Sequence, residues 1–128
     1  MTGYLIDTHT ALWYFNGDAR LSKTAHEIIN DFSNPVYISI TSAWEIAIKL
    51  SIGKLNIINN TADFLHDAEN NKINILPIKP SFLTILETLP LIHRDPFDRL
   101  LIAAALAEGM TLITDDENIK RYEVSQIW

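Results

Sequence analysis

A three-layer α/β/α sandwich around a mostly parallel sheet is the fold the sequence predicts, and three observations predict it. Apolar stretches of strand length alternate with helix-length segments along the chain. Turn and capping residues fall between them, and strands separated by helices need crossovers that pair them in parallel with both faces covered. The 128 residues suffice for one core that buries roughly two thirds of the unfolded surface, so a single domain over residues 1–128 is expected.

Residues 3–7 read as the first strand, followed by a short helix through Trp13 and Phe15. Ser22 is placed to cap a second helix running to about Phe32. Residues 36–40 form the second strand, and a helix over 42–52 stops at Gly53. A helix over 62–70 leads into the third strand, 73–78. Two helices follow, 80–89 and one from Pro96 to Gly109, the latter with proline at its start and glycine past its end. Residues 110–114 are the fourth strand and 117–122 a short helix, and the last residues are available as an edge strand.

Hydrophobic residues make up 48% of the chain and charged residues 20%, too apolar for disorder and without an apolar run long enough to span a bilayer. With no cysteine and no basic leader, a cytoplasmic location is expected. Sixteen acids against ten basic residues give a formal charge of −6, which argues against a protein that holds nucleic acid by phosphate neutralisation alone. It leaves open a nuclease, whose carboxylates gather divalent cations and so present a positive site to phosphate.

Ligands in open α/β sheets collect at the carboxyl ends of the strands, and there the sequence places mostly acids. Asp7 closes the first strand, Glu45 is expected in the first turn of the helix after the second, Asp98 in the first turn of the Pro96 helix, and Asp115 and Asp116 follow the fourth strand. Each has a structural alternative. Ser42 and Glu45 have capping-box spacing, Asp95 suits a cap and Asp98 the positive end of the same helix, and the paired aspartates suit an Asx turn. Asp7 has the least local reason to end an apolar strand unless something binds it. An all-oxygen donor set suits Mg²⁺ or Mn²⁺ rather than zinc, with the ion orienting phosphate and activating water. Lys49 lies four residues after Glu45 at ion-pair spacing, with phosphate contact as the alternative; Arg99 is a candidate for steering RNA or a surface residue. His9 is read as a packed residue and His93 as a loop residue supporting the following helix.

Four blocks, LIDTHTALW, SAWEIAIKLSIGKL, LPLIHRDPFDRLLIAAA and LITDDENIKRY, stand in an order and spacing in which the chain resembles the PIN-domain nucleases, in particular the VapC-like toxins of type II toxin–antitoxin pairs. The resemblance covers nearly the whole chain. It implies that Asp7, Glu45, Asp98 and Asp116 are metal-binding, catalytic acids and that Thr114 supports them. Asp116, rather than Asp115, fits the spacing after Thr114. It also implies a PIN-like fold, endonucleolytic cleavage of RNA leaving a 5′-phosphate, a homodimer, and a cognate antitoxin protein that blocks the site. A catalytically inactive PIN-like interaction module, its acids serving as caps, is the competing reading. A phospho-acceptor domain is disfavoured, because Asp7-Thr-His-Thr10 lacks a second acid and no P-loop is present.

Overall fold

The structure is a computed structural model and describes residues 3–56 and 58–128. Five strands, β1 (Tyr4–Ile6), β2 (Val36–Ser39), β3 (Asn74–Leu76), β4 (Thr111–Ile113) and β5 (Gln126–Ile127), form one sheet in the order β3-β2-β1-β4-β5. Every neighbouring pair is parallel, with Leu5 opposite Tyr37 on one side and Leu112 on the other. Six helices connect them: α1 (Thr8–Asn16), α2 (Lys23–Asn30), α3 (Ile40–Ser51), α4 (Thr61–Asn70), α5 (Pro80–Thr88) and α6 (Pro96–Glu108). Among the described residues no helix is long and apolar enough to cross a membrane.

Successive strand residues point to opposite faces, and here both faces are covered, so both sets are apolar. Ile6, Ile38 and Ile113 pack with Leu12, Ile29, Ile46 and Phe64 from α1 to α4. Leu5 and Leu112 face the other way, against Phe82 of α5 and Leu101 and Ile102 of α6. That is the expected three-layer sandwich.

Helix ends follow local chemistry. Ser22 accepts from Ala25 N–H, Asp95 from Phe97 and Asp98 N–H, and Gly109 closes α6 in the left-handed region at φ 65°. Three expectations are corrected. The second helix ends at Asn30 with Asp31 as its C-cap, leaving Phe32 exposed. The short helix after the fourth strand is a single 3₁₀ turn, Ile119–Arg121. Helix α3 starts at Ile40, because Ser39 caps it by accepting from Thr41 N–H. Glu45 therefore stands in its second turn, and the Ser42 capping box does not form; Ser42 is buried inside the helix.

The chain builds β1 to β3 outward on one side, then returns to add β4 and β5 on the other. The switch falls between β1 and β4, and a crevice opens beyond their carboxyl ends. Asp7 and Thr114 are the next residues after those two strands.

Candidate active site

Asp7 sits at that crevice with 6% of its surface exposed. One carboxylate oxygen accepts from Thr10 N–H at 2.8 Å, and the other accepts a short hydrogen bond from the Thr114 hydroxyl. Burial pushes its pKa above the usual carboxylate range, and these hydrogen bonds and the nearby His9 pull the other way. The contact with Thr10 makes Asp7 the N-cap of α1, which corrects the expectation that nothing local explains it. Helix α1 begins directly after the strand, and its orphan amides need an acceptor at that position. Thr114, in turn, accepts from Asp116 N–H at 3.1 Å, so one hydroxyl links the two strand ends.

Asp115 and Asp116 line the same cleft of ≈ 260 Å³ with Asp7, His9, Trp13 and Arg20. They are held differently. Asp115 pairs with Lys120 at 2.8 Å and is half exposed; Asp116 accepts from Asn118 and Ile119 N–H, forming the Asx-type turn into the 3₁₀ segment.

Glu45 reaches the edge from α3. It accepts from Thr8 Oγ1 at 2.8 Å and pairs with Lys49 at 3.0 Å, the i,i+4 ion pair its spacing allows. Asp98 enters from α6. Burial pushes its carboxyl up to about 7, the charges of Asp95, Asp116 and Glu45 add to that, and a hydrogen bond from His93 opposes it. Those charges place Asp116 and Glu45 each within electrostatic reach of Asp98, while Asp7 joins Asp116 through Thr114 and adjoins Thr8, the donor to Glu45.

The four predicted acids are thus linked pair by pair near one end of the sheet, Asp7 with Asp116 in the cleft and Asp98 with Asp116 and Glu45 by charge, but each is hydrogen-bonded within the chain and they are not drawn into a single ligand shell. Among the described residues, the group whose possible ligand atoms all lie within 4.8 Å of one another is His93, Asp95 and Asp98. His93 Nε2 lies 3.1 Å from Asp98 Oδ2, a contact the sequence reading did not assign. Its signal was the spacing: a histidine five residues before Asp98, across an Asp-Pro cap, is returned onto the helix's first turn. Arg99 also differs from expectation. Its Nη1 donates to Pro90 O and Tyr122 Oη, and Nη2 to Leu89 O, so the guanidinium ties the α5–α6 connection to the buried Tyr122 instead of standing free for RNA. Tyr122 Oη also accepts from Ile92 and His93 N–H, which holds the loop that carries His93.

Fold and site together define an open, parallel α/β protein with a cleft of carboxylates at its topological switch point. The PIN domain model matches residues 4–124, and the chain belongs to the PIN domain family. It is 28% identical over 130 residues to Ribonuclease VapC22 of Mycobacterium tuberculosis (strain ATCC 25618 / H37Rv), covering 95% of this chain and 93% of that protein. Among solved structures it is similar to a chain of VapBC2 from Rickettsia felis, bound to a DNA fragment from their promoter, with a TM-score of 0.70 at 15% identity, covering 98% of each chain. DNA-bound VapBC from Salmonella typhimurium gives 0.70 at 16% identity, covering 100% of this chain and 98% of that one.

Proposed function

We propose that this protein is a metal-dependent endoribonuclease acting as the toxin of a toxin–antitoxin pair, formed by one domain over residues 1–128. The observation that carries the reading is that Asp7 and Asp116 line one cleft beyond β1 and β4, while Asp98 lies within electrostatic reach of Asp116 and Glu45, so that acids from four separate chain segments gather near one end of the sheet. The similarity to a VapC ribonuclease and to VapBC complexes supports it. The partners that follow are an RNA substrate, a cognate antitoxin and a second copy of the chain, in the cytoplasm.

The donor set fits a hard divalent cation. All four side chains are carboxylates, and Asp98 is raised first by burial and then by the charges of Asp95, Asp116 and Glu45, a repulsion that a cation would relieve. Asp7, Glu45, Asp98 and Asp116 would hold Mg²⁺ or Mn²⁺, which supplies Lewis-acid activation of water and charge neutralisation at the phosphate. Thr114 orients Asp7 and Asp116 by bridging them, and Lys49 holds Glu45. Against the interaction-module reading stands the energetic cost of gathering acids where caps alone would need fewer.

The test is cleavage of labelled total RNA by the wild type and by Asp98→Asn, with Mg²⁺ or Mn²⁺ and with excess EDTA. Cleavage by the metal-loaded wild type alone is expected. If neither protein cuts, and millimolar Mn²⁺ leaves the melting temperature of the wild type unchanged, the interaction-module reading replaces this one.

A further inference from the structure

The cleft that holds Asp7 and Asp116 has a second wall, made by His9, Trp13 and Arg20. Its geometry follows from how α1 ends. Gly17 takes φ 62°, and Asp18 N–H donates back to Trp13 O at 2.9 Å, so the chain reverses at the helix terminus. Asp18 then accepts from the Arg20 backbone N–H at 2.8 Å, which turns Arg20 back toward the helix the chain has just left. The guanidinium carbon lies 5.0 Å from the centre of the Trp13 ring, and Trp13 is braced edge-on by Trp128 with centroids 5.8 Å apart. Nε and Nη2 donate to the Asp18 carboxylate at 3.1 and 2.7 Å.

These contacts leave one part of the guanidinium open. Among the described residues Nη1 makes no hydrogen bond, and the side chain is 68% exposed. An exposed ion pair of this kind adds little to folding stability, so holding the fold together is a weak account of it. Its position is more informative. Arg20 is a cation held in place on the rim of a cleft whose lining also holds three aspartates, His9 and Trp13, in a chain of net charge −6. A phosphodiester chain approaching those acids meets the repulsion of three carboxylates, and among the residues lining the cleft the Arg20 guanidinium is the fixed positive charge that offsets it. Arginine's planar fork suits phosphate oxygen, and anchoring by Asp18 and Trp13 removes much of the entropy its capture would cost.

We propose that Arg20, held by Asp18 and Trp13, is a phosphate-binding residue: its Nη1 takes a non-bridging oxygen of the RNA backbone next to the scissile phosphate and so positions the strand against the acids. The proposal rests on the ribonuclease reading of the same cleft.

The experiment measures binding of a short fluorescent single-stranded RNA of mixed sequence, in Mg²⁺, to the Asp98→Asn protein with and without Arg20→Met, across a salt series. Cleavage by the proteins with native Asp98 is followed in parallel. Arg20→Met should raise Kd by about tenfold and lower the slope of log K against log salt by about 0.7, the loss of one phosphate contact on a single strand. In cleavage the change should fall mainly on KM. Arg20→Lys should retain the slope and recover part of the affinity. Equal Kd and slope for the Met variant, with wild-type cleavage intact, overturns this proposal alone and leaves Arg20 to a protein partner. A wild type that neither binds nor cuts RNA overturns the proposal and the ribonuclease reading together.

Discussion

Helices α1 and α6 both begin at the acid-lined edge of the sheet and both are capped by aspartate, yet the two starts are built differently. At α1 the cap and the candidate metal-binding acid are one residue: Asp7 accepts from Thr10 N–H and from the Thr114 hydroxyl, and is almost fully buried. At α6 the two jobs are divided. Asp95 takes the Phe97 and Asp98 amides, and Asp98, three residues on, is left with a single histidine contact. The comparison teaches that loss of activity at Asp7 is ambiguous, since the fold itself needs that carboxylate, whereas Asp98 can be altered without removing a cap.

The largest expected effect tests that division. Asp98→Asn should lower kcat for RNA cleavage by at least about a hundredfold, while its melting temperature at neutral pH does not fall. A variant that unfolds would make Asp98 structural, like Asp7. Next, Asp7→Ala should destabilise the fold by about 3 kcal/mol, combining a lost cap with an unsatisfied buried Thr114 hydroxyl. Urea unfolding measures this, and a loss under about 1 kcal/mol would show that the cap is dispensable.

A smaller effect separates the two sites by pH. Burial and neighbouring charge raise the folded pKa of Asp98 to about 7, well above the ordinary aspartate value of about 3.9, so the native state penalises its ionised form. The favourable contribution is fully present below about pH 4 and is lost as pH rises through 7. Asparagine cannot ionise. In metal-free buffer Asp98→Asn should therefore gain on the wild type between those limits, by on the order of 2 kcal/mol; thermal melts that stay parallel across the range would sink the idea. The smallest effect is at Asp95. Replacing it with alanine should cost about 1 kcal/mol as a lost cap and draw the Asp98 transition to lower pH, because one of the charges that raises it is gone. NMR titration of the His93–Asp98 pair reads the second part.

Much of this site was legible in residue order. Asp7, Asp98 and Asp116 follow apolar strands or open a helix, and a carboxylate at such a place is visible without coordinates. Glu45 was legible as an acid but placed one turn too early, because Ser39 and Ser42 are both competent caps and only the end of β2 at Ser39 selects between them. The partners of Arg99 were not legible, for a related reason. Leu89, Pro90 and Tyr122 include one that lies 23 positions away in a segment with no periodic signal.

What the sequence by itself determined is the order of elements, most of their caps and the residue types at strand ends, since each depends on hydrogen bonds and side-chain periodicity within a few residues. What only the tertiary structure decided is which ends become neighbours. Asp7 and Thr114 are 107 positions apart, and they meet because β4 returns to pair beside β1 instead of extending the sheet past β3. Trp128 reaches Trp13, and His93 turns back onto Asp98, through similar packing choices. Strand order is set by the burial of both sheet faces together, a property of the whole chain that no local window carries.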